Sequence, residues 1–463
     1  MKRKAQVDLT TGPMSQHFKT LAIPAALGMV FNTLYNMVDI YFAGRLDTSA
    51  QAGLAIGFMV FFVYVAFGFG LSSGVSALIG GAIGAKDKRR ARRLAGQALS
   101  FSVLISLVLM AVGLWLSPVI VEFVSEPGPY RTAATRYLFL LQLAIPGFVV
   151  AYGCNGALQA QGDTATMTRA LFVAFLANIV LNPLLIYGIP GVWGGIGFDG
   201  LAVSTVMSQT GVMAFLLWRL FDSEVTDGIR RAHFRPRLET FGALTKQMLP
   251  SSFSLQVMII SGFVVQYALK GFGGHAIAAY GVGMRIEQLV LLPILGVSIA
   301  VLPIAAQNFG AGDHERVREA FAFGVKVALV FMAITCPILW LGAPYALGFF
   351  TKDPAVQEVG VGYLRFDALL LPVYSMLFLI NSLLQALKRP IFVLWISIYR
   401  QGFGVAFFVW LYLTFRGWDI WSVWFGIGTS VVTGLILSLI IASRVSAKEI
   451  GGLRSAAPAQ AST

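Results

Sequence analysis

One carboxylate stands out in the stretch FNTLYNMVDIYFAGRL, residues 31–46: Asp39, close to the end of a long apolar run. A charge at the centre of a bilayer costs roughly 2.5–3.5 kcal/mol even on a lenient scale, so an acid kept there marks function before packing. Asn32, Tyr35 and Asp39 fall at i, i+3 and i+7, a single stripe along a helix. Further along, Asn178 and Asn182 lie four apart and share a helix face. Their amide N–H groups are suited to hold the anion of Asp39. Pro183 follows directly; it has no amide to donate, leaves the Ile179 carbonyl free and favours a bend there. Asn155 completes the polar set. The chemistry of such a set is uptake and release of a proton or small cation.

Polar residues elsewhere in apolar segments are sparse. Arg285 and Glu287, two apart, are expected to offset each other's charge, with gating or substrate contact as the rival reading. Gln256 is a further candidate contact, and Asp367 reads as lying near an aqueous end of its segment. The four histidines, His17, His233, His275 and His314, sit at segment ends or in loops and form no catalytic pair. Cys154 and Cys336 make neither a disulfide framework nor a metal pattern. There is no phosphate-binding glycine loop, so ATP is not the expected driver. An enzyme is not expected, nor a cofactor, nor a metal.

These residues need helices to position them, and composition says which kind. Of the 463 residues 57% are hydrophobic and 12% charged, against about 25% charged in soluble domains. Windows of about 20 apolar residues give twelve spans, near 17–43, 51–83, 94–121, 134–158, 166–188, 197–220, 243–268, 275–307, 320–343, 357–385, 391–414 and 421–443. With the N-terminus inside, the outer loops hold only Arg45, Arg131, Arg136, Lys270, Lys352 and Arg416, and three basic residues, Arg285, Arg365 and Arg400, fall within spans. The rest, including KDKRRARR (86–93) and Arg230, Arg231, Arg235 and Arg237, collect on the inner side. This asymmetry puts both termini in the cytoplasm and the chain in the inner membrane. The net charge of +13 is therefore read as a topology signal, with no nucleic-acid partner.

The chain also repeats itself. An offset of 226 residues aligns Pro24 with Pro250, IGAKDKRRARR (83–93) with FGAGDHERVRE (309–319), Pro146 with Pro372, Asn155 with Asn381 and Gln159 with Gln385. Six spans per half is an even number, so the halves enter the membrane in the same sense and are related by an axis along its normal. The expected fold is an all-α polytopic membrane protein of twelve helices in two six-helix lobes, 1–221 and 241–463, joined by a cytoplasmic linker at 222–240. Two such lobes about a central cavity suit alternating-access transport. Under the same offset Asp39 pairs with Val265, Asn178 with Gly404 and Asn182 with Phe408, so this polar cluster is private to the first half.

The chain resembles the multidrug and toxic compound extrusion (MATE) family along its whole length. The matching stretches are TLAIPAALGMVFNTLYNMVDIYFAG, GAKDKRRARR, ALQAQGDT, NIVLNPLLIYG, YGVGMRIEQLVLLPILGVS and AAQNFGAGD. MRIEQLVLLP and Asp39 look most like the DinF-like branch; the acids that mark the sodium-coupled NorM-like branch in spans seven and ten are not found. The resemblance implies that Asp39 is the proton-binding acid of span one, that Asn178 is its span-five partner, and that Pro24 is the span-one proline at which bending has been proposed. At Asn182, where archaeal relatives carry a second acid, this chain departs from the pattern.

The leading expectation is a secondary active exporter, acting as a monomer and driven by protons, with sodium as the alternative ion, that expels hydrophobic and often cationic small molecules. Phe, Met and Tyr, plentiful here, suit such ligands. The alternative is a flippase for lipid or polyisoprenoid-linked oligosaccharide of the same superfamily.

Overall fold

The computed structural model describes residues 7–46, 48–124 and 127–453. The chain is helical almost throughout, and among the described residues the only extended pairing is an isolated bridge between Ile189 and Trp193. The long helices are α1 (Met14–Leu46), α2 (Thr48–Gly84), α3 (Lys88–Val124), α6 (Ala165–Tyr187), α7 (Asp199–Phe221), α8 (Leu238–Leu269), α9 (Gly274–Ala311), α10 (His314–Phe350), α11 (Pro354–Ala386) and α14 (Ile420–Ile450). Two spans are interrupted: α4 (Pro129–Gln142) is followed by α5 (Ile145–Gln159), and α12 (Ile391–Ser397) passes through a π-helical segment, Ile398–Gly404, into α13 (Val405–Phe415). Eleven of the described helical stretches are long and apolar enough to cross a membrane, and the α4–α5 pair makes a twelfth. These are the twelve spans read from hydropathy, most of them extended by a few residues at one or both ends.

Prolines shape the spans unequally. The α4–α5 pair is bent by 44°, and Pro146 sits in the first turn of α5, where its ring and missing N–H break the ladder to the preceding turn. Its repeat partner, Pro372, lies inside an unbroken α11. Likewise α1 runs on through Pro24, α6 through Pro183 and α8 through Pro250.

Contacts divide the chain into two compact units, residues 7–9 with 27–252 and residues 10–26 with 253–453. In the first, α2 packs on α3, α4 and α5, and α7 on α5 and α6. In the second, α9, α10 and α11 pack on one another, and α14 lies on α11 and α13. The first helix changes unit at residues 26/27, just past Pro24.

The repeated motifs are turns. Lys86 (φ 56°) and Gly312 (φ 76°), 226 residues apart, both take the left-handed conformation that ends a helix. The aspartate that follows each caps the next helix: Asp87 Oδ1 accepts from Arg90 N at 2.8 Å, and Asp313 Oδ1 from Arg316 N at 3.0 Å. Gly162 (φ 81°) and Lys388 (φ 60°) repeat the device after α5 and α11. In ALQAQGDT, Asp163 then accepts from Thr166 N at 3.0 Å and from Thr166 Oγ1 at 2.7 Å. The turn after α2 and α9 and the left-handed residue after α5 and α11 serve the architecture, which is why the fold uses each of them twice.

Candidate functional site

Asp39 sits on α1 with 2% of its surface exposed, and Asn178 and Asn182 on α6 are fully buried. One oxygen takes both amides: Asn178 Nδ2 donates to Asp39 Oδ1 at 2.9 Å and Asn182 Nδ2 at 2.8 Å. The four-residue spacing that puts the two asparagines on one face of α6 thus converges them on one carboxylate oxygen. Asn178 is fixed from behind, since Ser204 Oγ on α7 donates to Asn178 Oδ1 at 2.8 Å. Asn182 is not: its Oδ1 is buried without a hydrogen-bond partner.

The loop between α6 and α7 makes this possible. Ile196 N donates to Leu185 O at 2.8 Å and Gly197 N to Ile186 O at 3.1 Å. The chain is thereby tied back onto the end of α6, and α7 starts beside it with Ser204 in reach of Asn178.

Tyr35, one helical turn before Asp39, is also buried. Its hydroxyl lies close enough to Thr205 and Ser208 for electrostatic interaction but makes no hydrogen bond of ordinary geometry. Tyr137 of α4 stands within electrostatic range of both Asp39 and Tyr35. The groups that bear on Asp39 are amides and hydroxyls, and among the described residues no basic side chain forms an ion pair with it. The site is a buried acid whose charge the protein solvates but does not neutralise.

The other expected members are elsewhere. Asn32 is half-buried, with its carbonyl taken by Asn36 Nδ2 at 2.9 Å. Asn155 Nδ2 donates to Ser72 Oγ of α2 at 3.1 Å, an interhelical strut outside the Asp39 set. Gln256 is half-buried on α8 in the second unit.

Two readings of the second unit need correction. Arg285 is exposed and does not pair with Glu287: residues two apart on a helix point to opposite sides. Glu287 Oε2 instead accepts from Tyr363 OH of α11 at 3.0 Å, and Arg400 acts on it through space. Asp367 is not near an aqueous end. It is 1% exposed, about 20 Å along α11 from its start, and within range of Glu287. Arg400 rides on the π-helical segment, a feature often found at functional positions, and its guanidinium lies 6.0 Å from the centre of the Tyr374 ring.

Comparison with known proteins decides the family. The MatE family model matches residues 24–184 and again 250–410, displaced by the same 226 residues as the repeat. The chain belongs to the MatE family. Among its relatives is the probable multidrug resistance protein YoeA of Bacillus subtilis, 27% identical over 428 residues, covering 90% of each chain. Another is an FAD transporter of Shewanella oneidensis, 25% identical over 408 residues, covering 85% of this chain and 86% of the relative. The fold matches a solved structure described as the outward-facing conformation of a multidrug resistance MATE family transporter, with a TM-score of 0.89 and 25% identity over 98% of this chain and 100% of that one. The protein is thus a multi-pass membrane transporter of the MATE multidrug-efflux family, and not an enzyme.

Sequence reasoning missed Ser204, Thr205, Ser208 and Tyr137 around Asp39, and Tyr363, Tyr374 and Arg400 around Glu287. Serine and threonine are common in any span and carry no signal alone. Arg400 did carry one, being a charge inside a span.

Proposed function

We propose that this MATE protein is a proton-driven antiporter of the inner membrane, with both termini cytoplasmic, that exports hydrophobic, often cationic, small molecules as a monomer by alternating access. Asp39 is the coupling group. The observation that carries this reading is a buried carboxylate held by two amides, with no ion pair to it among the described residues. A proton or a cationic substrate is then what balances its charge, and the two compete for one site.

The asymmetry between the asparagines supports the exchange. The anionic acid accepts both amides. Once protonated, Asp39 has a donor that needs an acceptor, and Asn182 Oδ1 is a buried acceptor without a partner. A rotation of the Asn182 amide exchanges its donor for its acceptor and satisfies the neutral acid. Asn178, locked by Ser204, stays a donor in both states. Protons arriving from the outer side discharge the cation, and release of the proton to the cytoplasm restores the anion.

The test is collapse of a preset pH gradient in inverted vesicles on addition of a cationic dye, with and without sodium, and with FAD as a further cargo because of the Shewanella relative. Dye-evoked proton movement independent of sodium is expected, and its absence in Asp39→Asn. A folded Asp39→Asn protein that still expels dye against its gradient would overturn the assignment.

A further inference from the structure

The start of α3 runs against ordinary helix electrostatics. Its first two turns carry Lys88, Arg89, Arg90, Arg92 and Arg93, where the helix dipole favours anions. Lys88 is answered by Glu224 at 2.9 Å. Among the described residues no ion pair joins Arg89, Arg92, Arg93 or Arg230 to a carboxylate.

These groups converge. Arg89, Arg92, Arg93, Gly228, Arg230 and His233 line a cavity of about 450 Å³ within the first unit. Its far wall, the segment after α7, is stapled to α3. Gln97 Nε2 donates to His233 O at 2.8 Å, Gln97 Oε1 accepts from Arg237 N at 2.9 Å, and Ser100 Oγ donates to Phe234 O at 2.7 Å. His233 Nδ1 accepts from Arg230 N at 2.9 Å, which fixes the turn that presents Arg230. At Gly228 (φ 66°) the backbone passes so near Arg92 that an added Cβ would stand 3.4 Å from the guanidinium carbon. Arg92 Nε is buried and has no hydrogen-bond partner.

A basic loop that only sets orientation needs charge at the membrane surface. It does not need four guanidinium groups gathered around one cavity against their mutual repulsion. We propose that this cavity is a binding site for a phosphate-bearing anion. Guanidinium forks match phosphate oxygens in geometry as well as charge. The site lies where the polar start of α3 gives way to its apolar length. The phosphate thus comes either from an anionic lipid or from a soluble phosphate.

The experiment uses the full chain in phosphatidylcholine nanodiscs, titrated with short-chain phosphatidylglycerol or with inorganic phosphate, and reads the melting midpoint together with bound mass by native mass spectrometry. Saturable binding of one of the two is expected. Saturation by phosphatidylglycerol alone assigns the site to a lipid headgroup, and saturation by phosphate assigns it to a soluble ligand. Arg92→Gln with Arg230→Gln should weaken binding at least about tenfold, from the loss of two charge-assisted contacts. Arg92→Lys with Arg230→Lys keeps the charge and the orientation signal but loses the forks, and should still weaken it several-fold. Arg444→Gln with Lys448→Gln removes two exposed charges from α14 and should change nothing. The proposal fails if neither ligand saturates the wild-type protein, or if the α14 variant weakens binding as much as the cavity variant.

Discussion

The two units each bury acids, and they treat them differently. In the first, Asp39 is solvated by Asn178 and Asn182, and among the described residues it forms no ion pair. In the second, Glu287 and Asp367 are neighbours, and Arg400 stands near Glu287 as a resident countercharge, with Tyr363 donating to the same acid. The repeat makes this a controlled comparison, since the same six-span plan carries both. Glu287 has a countercharge and a hydroxyl donor within its unit, whereas Asp367 Oδ2 is buried without a hydrogen-bond partner. On the proposed reading, Asp39, set between neutral amides, is the acid whose charge a proton or cargo balances.

The largest effect expected from this contrast is on transport. Asp39→Asn keeps an amide-compatible shape but removes the titrating group, so dye-evoked proton movement should fall to background. Asp367→Asn and Glu287→Gln should each leave residual export, measured in the same vesicles at matched expression. Total loss at either one would shift coupling to the second unit.

Next comes stability, where the order should reverse. Arg400→Met removes the cation from a cluster of two acids, and leaving a buried charge uncompensated costs about 3 kcal/mol. The purified protein should melt lower by several degrees, whereas Asp39→Asn should melt close to wild type. If Asp39→Asn proves the less stable of the two, the division into a working acid and a structural cluster is wrong.

A finer break lies within the Asp39 site. Asn182→Leu removes both the donor for the anion and the acceptor for the neutral acid, and should slow export by about tenfold, in line with loss of a hydrogen bond to a charged group. Asn182→Asp keeps an acceptor and should retain more export when that acid is protonated, so the two variants should separate as external pH falls. Equal behaviour at every pH would dismiss the amide rotation.

The smallest effects come from single hydroxyls. Ser204→Ala and Tyr363→Phe each remove one interhelical hydrogen bond, which averages about 0.6 kcal/mol in membrane proteins. Ser204→Ala should nevertheless reduce export, because it frees Asn178 to turn, while Tyr363→Phe should alter only the melting midpoint.

The sequence by itself determined the spans, the repeat and the key acid. Hydropathy and helical period are local properties, and they were enough to put Asn178 and Asn182 on one face and to mark Asp39 as out of place in an apolar run. The repeat further separated what the fold needs twice, such as Asp87 with Asp313, from what stands in one half alone. Partnership across helices was another matter. Ser204 behind Asn178 and Tyr363 on Glu287 76 residues away meet only because α7 lies on α6 and α9 on α11. Proximity in sequence misled at Arg285 and Glu287, which a helix turns to opposite sides, and at Asp367, whose depth followed from where α11 begins. Only the packing of one helix against the next decided which buried charge found a charged partner in the protein and which was met by neutral amides alone.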